Sequence, residues 1–239
     1  MFDPRGPSLV ELAKQALSST TKGYDLLAPK FEYTPFRTPD EVLEPLAEAI
    51  GPAKSIDRAL DVCCGTGAAM RVLRPLCREY VTGIDLSRGM LEEAEKLLED
   101  GPGDAEVRLE CVDTFEMDYD EEFDVVTTCG SLGHILEHQQ DLFAHRVWSA
   151  LRPGGRFVFP TSEMPPVASR RWLVSRTFNA VMHLRNAVIK PPFIMFYLTF
   201  TEERAREVLG RKGFEIEVQR PYEGSDFSAL RLMVATKPE

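Results

Sequence analysis

Two acids and two glycines carry the most specific chemistry in this chain. In ALDVCCGTGAAM, residues 59–70, Asp61 precedes Gly65 and Gly67, and VTGIDLS, residues 81–87, sets Asp85 eighteen residues beyond Gly67. Leu60 and Val62 read as a buried strand. The glycines permit a tight turn with close backbone approach to a ligand, and Ala68 to Met70 open a helix. An acid at the end of the next strand can accept hydrogen bonds from a ribose diol. A dinucleotide fingerprint needs a third glycine, but counting from Gly65 that place is Met70, and counting from Cys63 the first glycine is missing. No GK[ST] follows, which excludes a P-loop.

The elements that must position these residues follow from periodicity. From Ile56 onward strand and helix patterns alternate, which implies parallel strands joined by helical crossovers, with ligands at the carboxyl ends of the strands. Strands are predicted near 57–63, 80–85, 106–112, 123–129 and 155–160, with helices near 67–79, 87–99 and 137–151. FEIEVQR (214–220) and ALRLMVATK (229–237) follow one another without a helix between them, so they are expected to pair antiparallel. Upstream, Leu9 to Leu17 suggest a short amphipathic helix. GYDLLAPKFEYTPFRTP (23–39) is aromatic and proline-rich, as a lid would be. Thr38-Pro39-Asp40-Glu41 reads as a capping box opening a helix over 39–50.

Composition narrows the function. The chain has 239 residues, enough for one domain with a sizeable core. A net charge of −10 argues against a broad nucleic-acid surface, so a small-molecule acceptor is the default. The five cysteines include no CxxC pair, and Cys63 and Cys64 are expected on opposite faces of a strand, so no metal site is expected. Without a signal-peptide pattern or a charge-free run of about 18 apolar residues, the expectation is a reduced, cytoplasmic protein with no stable membrane insertion.

Asp61-x-x-x-Gly65-x-Gly67, Asp85, Val112-Asp113 after the third strand and LRPGGRFVF at 151–159 occur in the order found in class I S-adenosylmethionine-dependent methyltransferases, and the chain resembles that family over about residues 55–160. Cys63 stands where the family often has glycine. The resemblance implies a Rossmann-like, seven-stranded, mostly parallel α/β sheet with helices on both faces and a C-terminal antiparallel hairpin. It also implies S-adenosylmethionine as cofactor and S-adenosylhomocysteine (SAH) as product. Asp61 would hold the amino-acid end of the cofactor while the backbone at Cys63, Cys64, Gly65 and Gly67 passes beneath it. Asp85 would take the ribose hydroxyls, Leu86 would lie on the adenine, and Asp113 with Thr114 would receive the adenine amino group. Asp113 can alternatively serve only as a turn or helix cap. Tyr24 and Tyr33 would close over the cofactor, or simply pack on the sheet.

The fourth strand, FDVVTTC, leads into GSLGHILEHQQDLFAHRVW. In the family this strand end lies beside the transferable methyl, which makes Cys129, Gly130 and Ser131 cofactor neighbours. His134 is expected in a loop at the mouth of the site, as a general base or as an orienting group. His138, Asp141 and His145 fall on the solvent side of the following helix, where a metal is not expected.

Residues 161–200 form a long connection read as an acceptor cap, with a helix from about 169 to 190. One arc is polar (Ser175, Arg176, Asn179, His183, Asn186, Lys190) and the wider one apolar. The apolar arc fits core or homodimer packing, an acceptor pocket built with Trp172 and Phe178, or docking on a membrane surface. Arg185 lies within that arc, so an anionic partner is expected, from the protein or from an acidic acceptor. The chain is thus read as one domain, 1–239: a helical lid (1–50), a cofactor-binding half (51–160), the cap (161–200) and a final helix with hairpin (201–239). Methyl transfer to a small organic acceptor, lipophilic or aromatic, is the expected activity. Aminopropyl transfer and a non-catalytic cofactor-binding scaffold are the rivals.

Overall fold

In the computed structural model, which describes residues 3–239, the inner strands are buried along most of their length because both faces of the sheet are covered. The strands are β1 (Ile56–Val62), β2 (Cys77–Ile84), β3 (Glu106–Glu110), β4 (Phe123–Thr127), β5 (Leu151–Ser162), β6 (Glu215–Gln219) and β7 (Leu230–Thr236). They form one seven-stranded sheet in the order β3-β2-β1-β4-β5-β7-β6. The first five are parallel, and β7 inserts antiparallel between β5 and β6. This is the sheet expected from the sequence. The helices are α1 (Leu9–Ala16), α2 (Thr20–Leu27), α3 (Asp40–Ile50), α4 (Ala68–Leu73), α5 (Arg88–Glu99), α6 (Gln140–Ala150), α7 (Arg170–Val188) and α8 (Glu202–Lys212).

The sheet sorts its side chains by pleat. Leu60, Val62, Phe157 and Phe159 point to the face covered by α6 and α8, where they meet Phe143, Val147 and Val208. Ala59, Val125, Val158 and Val234 point to the other face, against Leu46 of α3, Met70 and Leu73 of α4, and Leu91 of α5. Each large apolar side chain buried in this way contributes about 1.5–3 kcal/mol. Two apolar layers, one rich in phenylalanine, pack on β1, β2 and β4, so their carboxyl ends are fixed points for a site.

Several local expectations are revised. The first helix of the alternating half ends at Leu73, followed by a 3-10 turn over Arg74–Leu76, and β2 begins at Cys77. Pro75 supplies no N–H to continue the helix. Helix α2 had not been anticipated. At α3 the helix starts at Asp40 with extended Pro39 at the cap and no side-chain cap bond, so Thr38 closes no capping box. Cys63 is not a strand residue: β1 stops at Val62, and Cys63 has a left-handed φ of 57°.

The largest revision concerns α7. Its polar side, not its apolar side, faces the body. The Asn179 side chain donates to the Tyr197 carbonyl (2.9 Å) and accepts from the Tyr197 N–H (2.8 Å), and Asn186 does the same for Phe193 (2.9 Å each). Ser175 is buried on this side and His183 stacks on Phe196. Segment 190–200 is irregular and part-buried, so its backbone groups need partners, and the two amides supply them. Arg185 meets no carboxylate. It donates to the carbonyls of Ala16 (2.9 Å), Ser18 (2.6 Å) and Pro191 (2.8 Å), tying the end of α1 to the end of α7. Carbonyl dipoles at the half-buried edge satisfy the guanidinium without a buried anion.

Candidate active site

At the carboxyl ends of β1, β2 and β4 lies a cavity of about 340 Å³. Gly67 has φ of 82° and begins α4, and Gly65 has φ of 55° with nothing within 4 Å of where a side chain would stand. The turn between them exposes bare backbone to the cavity. Cys63 occupies a third left-handed position in the same turn, which explains the family's frequent glycine there. Its thiol lies 3.3 Å from the Thr114 hydroxyl, and burial, reinforced by Asp85, pushes it up to about 12, so it stays protonated.

Asp61 is the electrostatic centre of the cavity. It is 1% exposed, and neither carboxylate oxygen has a hydrogen-bond partner. Burial first, and then the nearby Asp85 charge, raise its pKa well above the ordinary carboxylate range. A buried carboxylate without partners is costly, and a cation placed against it would remove that cost. Asp85 is anchored differently: it accepts from the Gly65 N–H (2.9 Å) and the Ser87 N–H (2.8 Å), so its orientation is locked to the glycine turn. Desolvation also raises its pKa, although these two N–H groups oppose the shift.

The remaining wall comes from the strand ends and from both flanking segments. Leu86, Thr114, Cys129, Gly130 and Ser131 line it, as does Cys64. Tyr24 and Phe31 enter from the N-terminal segment, with Phe36 beside them, and Met195 and Tyr197 enter from the end of the insertion. The Tyr24 hydroxyl is 2.9 Å from His134 Nε2, while His134 Nδ1 contacts the Ile194 carbonyl. A carbonyl only accepts, so Nδ1 carries the hydrogen, and Tyr24 therefore donates to the free lone pair of Nε2. Burial lowers the His134 pKa and raises that of Tyr24, so both are neutral. The N-terminal segment is bonded to the body at two further points. Asp25 accepts from the Ser87 hydroxyl (2.6 Å) and the Gly89 N–H (3.0 Å), and the Thr66 hydroxyl donates to Glu32 (2.6 Å).

Six of the residues singled out from the sequence do not line the cavity. Gly67 lies behind the turn, where a Cβ would come within 2.9 Å of Leu98. Asp113 caps its own turn, accepting from the Phe115 N–H at 2.9 Å. Tyr33 faces away and lies under Arg5. Arg185 is occupied by carbonyls, Phe178 packs on Tyr197 from outside, and Trp172 lies beneath the Arg176 guanidinium. The wall residues absent from the sequence reading, chiefly Phe31, Phe36, Met195 and Tyr197, sit in the two irregular aromatic stretches. Their composition was the available signal. Among the described residues, the wall carries no Lys or Arg.

Residues 59–155 match a family model described as a methyltransferase domain. The chain is 29% identical over 126 residues to demethylmenaquinone methyltransferase of Lactobacillus johnsonii, covering 50% of each. It is 33% identical over 106 residues to 27-O-demethylrifamycin SV methyltransferase of Amycolatopsis mediterranei, covering 44% of this chain and 38% of that one. The matched stretch thus spans half or less of either relative's length. In three dimensions the DhpI–SAH complex superposes with a TM-score of 0.66 at 20% identity, covering 97% of this chain and 99% of that one, a likeness of fold.

Proposed function

We propose that this chain, which carries a methyltransferase domain over residues 59–155 on a fold shared with the DhpI–SAH complex, moves a methyl group from S-adenosylmethionine to a small, uncharged organic acceptor. The observation that carries this reading is Asp61, a buried carboxylate with two free oxygens at the head of a glycine turn. The α-ammonium group of the cofactor would match that carboxylate in charge and in hydrogen-bonding capacity. Asp85 retains accepting capacity for the ribose hydroxyls, and the bare backbone at Gly65 admits the chain between ribose and amino acid. The bound cofactor supplies an electrophilic methyl on a sulfonium.

The protein's own contribution is alignment, exclusion of water and handling of one proton. Phe31, Phe36, Met195 and Tyr197 form an apolar wall suited to a flat or lipophilic acceptor. With no cationic side chain on that wall, an acceptor carrying carboxylate or phosphate would be left unpaired, so a neutral hydroxyl, phenol or activated carbon fits best. An acceptor O–H would pass its proton to the Tyr24 oxygen as Tyr24 gives its own to His134 Nε2. The imidazolium so formed keeps its Nδ1–H on the Ile194 carbonyl. Small organic acceptors also stand in the names of the two relatives.

Calorimetry with S-adenosylmethionine and SAH tests the reading. Both should bind, and Asp61→Asn, which keeps shape but loses charge, should weaken them roughly 10- to 150-fold, the equivalent of about 1.5–3 kcal/mol. Preference for a dinucleotide, or undiminished binding to the variant, would overturn it.

A further inference from the structure

The exposed side of α7 is unlike the water-facing side of an ordinary helix. Leu173, Val174, Val181, Leu184 and Val188 are 50–75% exposed and fall on one arc, where α7 turns outward. Residues 161–200 carry five Arg or Lys side chains against the single acid Glu163, in a chain whose net charge is −10. Three of the five, Arg170, Arg171 and Arg176, are exposed along the N-terminal half of α7, within or bordering the apolar arc. At the other end Arg185 joins α7 to α1, whose Leu9 and Val10, with Leu17 just beyond its end, are also more than half exposed. The inner side is fixed by Asn179 and Asn186, so the outward direction of the apolar arc is set by backbone hydrogen bonds and not by chance.

We propose that α7 is an interfacial helix that lays its Leu/Val arc into an anionic lipid surface while Arg170, Arg171 and Arg176 meet the headgroups. An apolar arc edged by arginine and lacking acids is what such a helix needs, and at 19 residues α7 offers roughly 28 Å to the surface. No helix among the described residues is long and apolar enough to cross a membrane, so the contact is peripheral. Charge selects this occupant over a second copy. Pairing two such faces would leave these arginines without counter-charge on α7, which has no acid, or press them together where the helices run parallel, whereas anionic lipid neutralises them and offsets repulsion from the acidic remainder of the chain. Phe178, on the flank of α7, packs against Tyr197 of the cavity wall at 4.7 Å between ring centroids, so the cavity rim adjoins the docked face. The inference stands independently of methyl transfer.

Co-sedimentation of the full chain with vesicles of phosphatidylcholine alone, or with about a third phosphatidylglycerol, tests it. Binding should require the anionic lipid and fall steeply on adding salt. Each of Arg170→Gln, Arg171→Gln and Arg176→Gln should lower the partition coefficient about fivefold. Val181→Asp with Leu184→Asp should lower it at least tenfold while leaving circular dichroism and SAH affinity unchanged, which separates lost docking from lost folding. No binding to anionic vesicles, or equal binding by the Asp variant, overturns the proposal. A dimer in sedimentation equilibrium that the same two substitutions dissociate, with no vesicle binding, would assign the face to self-association instead.

Discussion

Asp61 is held at a cost, buried with no hydrogen-bond partner from the protein. Burial raises its pKa above the ordinary carboxylate value, so above about 3.9 the folded state keeps a proton that the unfolded chain has released. The native state binds more protons in that window, and stability therefore falls as pH rises through it. Asp61→Asn has nothing to ionise. Without cofactor, its melting temperature should exceed that of the wild type at neutral pH, with the gap closing towards about pH 4, as thermal melts across that range would record. A variant less stable than wild type at pH 7 would contradict the unpartnered-carboxylate picture. Asp85→Ala should act differently, because its two N–H contacts brace the turn: both cofactor affinity and melting temperature should drop, and a calorimetric titration that matches wild type would remove Asp85 from the site. The acids and glycines of this turn were legible in the sequence because a turn is a local constraint on backbone and residue type. The local bond of Asp113 was not settled there, since an aspartate that accepts from the amide two residues on looks the same in sequence as one that does not.

For α7, periodicity revealed two arcs but not which one faces inward. Burial of apolar surface ordinarily decides, and here it lost to backbone satisfaction. Two asparagines seven residues apart on the helix pair with two residues four apart on the facing segment, each closing a two-bond ring. The usual substitution hierarchy should therefore invert. Asn186→Leu, polar to apolar, should cost about 1–3 kcal/mol in chemical denaturation by stranding the Phe193 N–H and carbonyl, whereas Val181→Asp, apolar to charged, should cost less than about 0.5 kcal/mol. The reverse ordering would show that the helix is seated the other way round. Arg185→Met should also destabilise, by freeing three carbonyls at the α1–α7 junction. The sheet, in contrast, was readable in the order and direction of its strands, with ends up to four residues away from those expected at β2 and β5, because strand burial on two faces marks each strand as a continuous apolar run.

At the scale of the whole molecule, residues 20–38 form part of the cavity wall, fastened through Asp25 to Ser87 and Gly89, Glu32 to Thr66, and Tyr24 to His134. Three clasps at separate strand ends make departure of the spent molecule a matter of waiting. The catalytic cycle would then be timed by a door and not by the bond being made. Rapid-mixing experiments should show a first turnover faster than all later ones. Asp25→Ala, outside the cavity wall, should quicken the later turnovers and leave the first unaltered, and an even pace from the outset would mean that the door stands open.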